Sequence, residues 1–123
     1  MKFKPEKDFK RPWGGFIKFI DNLPCTVKIL FIKKGESLSL QSHKLRTEFW
    51  YVVSGKIKAT YGKSLRNLKG KLLKESESIL ISKNTLHRAE GIAQSKILEI
   101  SFGKFKEGDE IRYQDRYGRS SPN

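Results

Sequence analysis

Cysteine is nearly missing from this chain: Cys25 stands alone, so no intramolecular disulfide can form. That usage fits a reducing compartment, and a cytoplasmic location is expected. No reactive motif surrounds Cys25, which reads as a small, half-buried hydrophobe. No apolar run approaches the ~20 residues that cross a bilayer. No apolar h-region follows the amino terminus, so neither a signal peptide nor a membrane partner is expected. Long helical periodicity is lacking, and glycine-rich nucleotide loops are missing. Acidic residues are few, 13 against 26 lysines and arginines, for a formal net charge of +13. Such a balance favours anionic partners: nucleic acid, an anionic membrane surface or a phosphorylated metabolite. The basic residues are spread along the chain, densest before Arg11 and from Lys56 to Lys74. Most of that charge reads as solvated surface.

What the chain does have is a succession of short strand-like runs. They cover Phe16 to Ile20, Thr26 to Lys33, Ser37 to His43, Glu48 to Val53, Lys56 to Tyr61, Leu72 to Leu73, Ser78 to Ile81, His87 to Ala89 and Ile97 to Phe102. Turn residues separate them: Asp21-Asn22, Lys34-Gly35, Ser54-Gly55, Gly62, Gly70, Lys83-Asn84 and Gly91. At 123 residues this predicts one all-β domain, a sandwich or barrel. Residues 1–15 read as an extended arm ending in Arg11-Pro12-Trp13-Gly14-Gly15. Trp50 and Val52 alternate with Phe49, Tyr51 and Val53, which predicts a strand buried on both faces.

Gln41, His43, Glu48 and His87 carry the chemistry. Gln41 and His43 are two apart, on one face of a strand. Glu48 opens the next apolar run, and His87 follows a later one. Two imidazoles, a carboxylate and an amide oxygen suit one divalent ion: Zn, Co, Mn, Ni or Fe. Drawing them from separate strands requires a closed or nearly closed β-structure with an inward polar patch.

The spacing of Gly35, Gln41, His43, Glu48 and Gly55 resembles the first cupin signature, with Gln41 where histidine is usual. The second signature falls on Ser76, Ser82, Asn84, His87 and Gly91, where only His87 keeps the usual residue. Glycine, proline, glycine and asparagine are replaced at the others. A narrower resemblance spans almost the whole chain. Arg11-Pro12-Trp13-Gly14, Ser39-Leu40-Gln41, His43, Arg46, Glu48, Trp50, Val52-Val53-Ser54-Gly55, His87-Arg88, Leu98-Glu99-Ile100 and Tyr117-Gly118-Arg119 look like the type II mannose-6-phosphate isomerase domain. The resemblance implies an all-β, single-domain cupin, a double-stranded β-helix or jelly-roll barrel. Its parts would be the 1–15 arm, a 16–103 barrel and a 104–123 extension, packed on the barrel or partly disordered. The domain is often fused to a mannose-1-phosphate guanylyltransferase. Here only the short arm precedes the barrel, so guanylyl transfer is not expected.

By the same resemblance the activity would be the interconversion of mannose 6-phosphate and fructose 6-phosphate through a cis-enediol. A proton leaves C2 and another returns at C1, which requires a general base and a cation for the developing charge. Glu99 shares a strand face with Ile97 and Ser101 and is the candidate base; a salt-bridged or rim position is its alternative. Arg46 matches the family's arginine and is the candidate catalytic or phosphate-binding group. Arg11, Trp13, Lys44, Arg88 and Arg119 are candidate substrate contacts. Lys44 stands where the family carries histidine. Arg88, next to His87, should point away from the cavity. Trp13 plugging one end of the barrel and Arg119 tying down the tail are alternatives. The resemblance further implies a homodimer paired through strands. A non-catalytic cupin binding a phosphosugar or nucleotide sugar is the second reading. Single-stranded nucleic acid is the third, resting on basic residues interleaved with Tyr61, Tyr113 and Tyr117; no recognition motif supports it.

Overall fold

The computed structural model describes residues 3–104 and 108–114, which form eleven strands and no helix. In chain order these are β1 Glu6–Arg11, β2 Gly14–Lys18, β3 Cys25–Ile32, β4 Leu40–Ser42, β5 Arg46–Ser54, β6 Lys56–Gly62, β7 Lys69–Lys74, β8 Ser78–Ile81, β9 Leu86–Gly91, β10 Ser95–Gly103 and β11 Ile111–Gln114. One antiparallel sheet runs β3-β10-β5-β8 and a second runs β11-β4-β9-β6-β7. Their apolar faces meet in one core. Ile32, Trp50, Val52, Ile81 and Ile97 come from the first sheet, Ile57, Ala59, Leu73 and Ala89 from the second. This is the two-sheet jelly roll that the short alternating runs predict.

β5 is buried on both faces from Phe49 to Val52. Trp50 and Val52 fill the inter-sheet core, while Phe49 packs outside with Ile100 and Phe102 beneath Phe3 and Phe19. Fully burying an indole removes roughly 200 Å² from water, on the order of 5 kcal/mol. An unpaired indole N–H would cost ~1–3 kcal/mol of that; instead it donates to Glu48 Oε1 at 3.2 Å. Val53, one step on, is exposed.

Three departures from the sequence expectation have physical reasons. The 1–15 arm is not simply extended: β1 pairs with β2 in a hairpin that crosses the boundary at residue 15. Lys69–Lys74 is a full strand where only Leu72 and Leu73 were legible, because this sheet edge carries lysines rather than β-formers. The expected strand over residues 37–43 is broken. Ser37 bridges Glu90 and Gln41 pairs with His87, so four steps on one strand oppose three on the other. That one-residue bulge lets both Leu38 and Gln41 face inward, which regular alternation forbids.

The two positions where the cupin signature usually has glycine, Ser76 and Asn84, adopt φ of 73° and 60°. Asparagine tolerates that left-handed conformation; serine does so at a cost. The turns demanded by the signature therefore persist without their glycines.

Candidate metal centre

β4 and β9 lie side by side in the five-stranded sheet, and β5 crosses opposite them. This arrangement places His43, just beyond β4, against Glu48 on β5 and His87 on β9. One ligand atom from each of the three lies within 4.8 Å of the others. All three residues are buried. Each imidazole is fixed by a backbone carbonyl: His43 Nδ1 donates to Asp109 O at 2.7 Å, His87 Nδ1 to Thr85 O at 2.8 Å. Those bonds leave both Nε2 atoms facing the interior. His87 Nε2 is buried without a hydrogen-bond partner and lies 3.5 Å from Glu48 Oε1. A buried, unpartnered imidazole nitrogen beside a carboxylate is what a metal ligand requires. The donor set fits a borderline divalent ion.

Arg46 occupies the same cluster. Its Nε donates to Glu48 Oε2 at 2.9 Å, and Nη2 lies 3.2 Å from His43 Nε2. Burial alone would push the Glu48 carboxyl up, but the nearby His43 and His87 imidazoles, 3.1 and 3.5 Å away, hold it far below the usual carboxylate range. Burial depresses His43, and the Glu48 carboxylate reverses that, raising it above the usual imidazole value. The Glu48 carboxylate thus favours the protonated imidazole, and a divalent ion at Nε2 would compete with that proton.

The five-stranded sheet turns one row of polar side chains toward this cluster. Cross-strand partners share a face, and the register aligns Arg112, Gln41, His87, Tyr61 and Lys69. Gln41 therefore neighbours His87, with its Oε1 accepting from Ser39 Oγ at 3.1 Å. Glu99 lies on the opposing sheet, 6% exposed, beside Trp50 and Lys28. Burial, then the charge of Glu48, pushes its carboxyl up to about 7.

The other sequence-predicted residues that the structure describes do not join the cluster. Arg11 is exposed on the hairpin and pairs with Asp8 at 3.1 Å. Trp13 sits at the hairpin tip, 72% exposed, not plugging the barrel. Lys44 is exposed, with only its amide held, by Asp109 Oδ1 at 3.0 Å. Arg88 lies on the opposite face of β9 from His87, beside Thr60. Arg119 and the Tyr117-Gly118 pair lie outside the described residues. The sequence reading did not place Asp109 or Arg112 here, and it named Tyr61 only for nucleic acid and Ser101 only as a face neighbour of Glu99. Asp109 anchors His43 from 66 residues away, a pairing no local pattern announces. Ser101 faces Glu48 in register and carries a buried hydroxyl with no hydrogen-bond partner.

The family described as mannose-6-phosphate isomerase C-terminal matches residues 2–115. The chain belongs to this family. It is 36% identical over 116 residues to mannose-1-phosphate guanylyltransferase ManC of Salmonella typhimurium, a match covering 92% of this chain and 23% of that protein. It is 36% identical over 115 residues to alginate biosynthesis protein AlgA of Pseudomonas fluorescens, covering 91% and 23%. This family member thus spans about a quarter of the length of the curated relatives it matches. Among solved structures, a 3,4-ketoisomerase from Helicobacter canadensis superposes with TM-score 0.71 at 18% identity, covering 90% and 86% of the two chains. The TDP-quinovose 3,4-ketoisomerase of Campylobacter jejuni gives 0.71 at 17% identity, covering 90% and 88%. At that identity the likeness establishes the fold, the cupin jelly roll.

Proposed function

We propose that this domain is a metal-dependent aldose–ketose isomerase interconverting mannose 6-phosphate and fructose 6-phosphate through a cis-enediol. The observation that carries this reading is the convergence of His43, Glu48 and His87 beside a buried carboxyl, Glu99, whose ionisation lies near neutrality. His43, Glu48 and His87 would hold the ion, with Gln41 beside them. When bound, the ion supplies positive charge against the negative charge that builds on the sugar oxygens. Glu99 takes the proton from C2 and returns it at C1; burial raises its carboxyl above the ordinary value, which suits a group that must both take and return a proton. Arg46 fixes the Glu48 carboxylate through its Nε. The two carbonyls behind the imidazoles keep Nε2 aimed inward. A reducing cytoplasmic setting accords with the free Cys25.

A coupled assay of fructose 6-phosphate formation, with Co, Zn or Mn added, tests the reading. Turnover lost on chelation and in His43→Ala is the expected result. Absence of turnover from folded protein that retains an ion would overturn it. One observation favours a second reading, a non-catalytic phosphosugar-binding cupin: Arg46 already contacts the Glu48 and His43 atoms that would ligate the ion.

The homodimer belongs to the same proposal. β3 is an open edge of its sheet, and Val27, Ile29 and Phe31 alternate along it at 54%, 43% and 73% exposure. Antiparallel pairing of two β3 edges would cover this row. Phe31→Glu is expected to convert a dimer into a monomer by light scattering; a monomeric parent protein would reject the dimer.

A further inference from the structure

A cavity of about 460 Å³ is lined by residues that include Tyr61, Lys63, Asn67, Lys69, Ser82 and Thr85. Its remaining lining residues are Gly62, Leu80 and Ile81, so it holds two cations and no carboxylate. Its polar groups are already drawn together. Lys63 Nζ donates to Thr85 Oγ1 at 2.8 Å, with longer contacts of 3.4 Å to Ser82 Oγ and to the Lys83 carbonyl. The Ser82 and Thr85 hydroxyls are 3.1 Å apart. The two 3.4 Å contacts exceed the usual N–H···O range, so an incoming anion displaces little.

The cavity adjoins the metal cluster through Tyr61, Ile81 and the turn from Ser82 to Thr85. Tyr61 is the cross-strand partner of His87, and Ile81 that of Glu48. The same turn that supplies Ser82 and Thr85 holds the His43 backbone and the His87 imidazole: the Asn84 amide donates to the His43 carbonyl at 2.8 Å, and the Thr85 carbonyl accepts from His87 Nδ1. Tyr61 is one strand spacing, ~5 Å, from His87. Ser82 and Asn84 are two of the positions where this chain departs from the cupin signature. Serine in place of proline adds a hydroxyl there, and the left-handed Asn84 keeps the turn that presents it.

We infer that this cavity is the subsite for a phosphate monoester, held by Lys63 and Lys69 with the Ser82 and Thr85 hydroxyls. Ammonium groups and hydroxyls together neutralise and hydrogen-bond phosphate oxygens. The subsite rests on the reading of the neighbouring cluster as a sugar-phosphate site, with the sugar directed to the cluster and its phosphate to the rim. It moves the phosphate from Arg46, whose guanidinium is engaged with Glu48, to Lys63.

Calorimetric titration of the ion-loaded protein with mannose 6-phosphate, mannose and inorganic phosphate tests this. In Lys63→Gln, and separately in Lys69→Ala, affinity for mannose 6-phosphate and for phosphate should fall roughly 10- to 100-fold. Affinity for unphosphorylated mannose should not change. Lys63→Arg should restore part of the loss. Both lysines are exposed at the rim, so neither change threatens folding. Unchanged affinity in both variants, or an equal loss for mannose, would overturn the subsite. Binding is read without turnover: an inactive parent protein whose phosphate affinity still depends on Lys63 would reject isomerisation and keep the subsite.

Discussion

Glu48→Gln is expected to strip the divalent ion and the sugar-phosphate turnover together. Glu48 is the only carboxylate among the three grouped ligands, and it anchors the surrounding network. Its two oxygens take bonds from Arg46 and from the Trp50 indole and face both imidazoles. An amide keeps the shape and its one oxygen can still accept from Arg46; the Trp50 indole bond is lost, at about 1–3 kcal/mol, which the fold should survive. What disappears is the charge that offsets a cation and the Arg46 guanidinium at once. Disturbing even the groups behind metal ligands weakens affinity 10- to 100-fold, so losing a direct ligand's charge should weaken it by at least about 100-fold. Elemental analysis after dialysis, beside the coupled assay, gives both readouts. Full ion content with full turnover in Glu48→Gln would place the metal centre elsewhere.

Glu99→Gln should act in opposite directions on activity and on stability. As the general base, Glu99 must be ionised, so turnover should rise with pH as Glu99 loses its proton, and an ion on Glu48 should bring that rise below the ion-free value of about 7. The amide should lower turnover by roughly 100- to 10,000-fold, the usual contribution of a positioned base. Stability runs the other way. The folded-state value lies above the ordinary carboxyl value of 4.5. The proton is therefore held more tightly in the folded chain. The stabilisation it brings is complete below about pH 4.5 and is lost as pH rises through about 7, roughly 3 kcal/mol in all. In chelator, the parent protein should thus lose thermal stability between pH 5 and pH 8 relative to Glu99→Gln, by roughly 10 °C. Parallel melting curves for the two proteins would reject the assignment of a buried, strained carboxyl. A variant that melts as predicted yet retains turnover would keep Glu99 as a structural acid and remove it as the base.

These two carboxyls show how far one sequence can be read. Glu48 was legible because it stands at a fixed distance from His43 in a signature whose spacing is local, set by one turn between two strands. Glu99 was legible only as a face: alternation with Ile97 and Ser101 turned it inward, but nothing in the chain announced Trp50 and Lys28 as its register partners. Arg46 was legible as a match to the family's arginine and as a catalytic or phosphate-binding candidate, but not as a partner of Glu48. Its engagement with Glu48 follows from two residues of one strand sharing a face, a local rule, yet its approach to His43 depends on how the preceding turn folds. Gln41 faces inward beside Leu38 only because of a bulge, and a bulge is a disagreement between two strands that neither strand carries alone.

The sequence by itself determined the all-β class, the family, and the grouping of His43, Glu48 and His87. Those follow from side-chain period and from spacing across single turns, both local properties of the chain. The tertiary structure alone decided what stands behind each ligand: the Asp109 carbonyl behind His43, the Thr85 carbonyl behind His87. It also decided which cations reach the interior and which stay in solvent, and that a turn lacking its usual proline and glycine brings two hydroxyls to Lys63. Those contacts join residues from different strands, and their distances are set by register and sheet packing, which exist only once the two sheets have closed on each other.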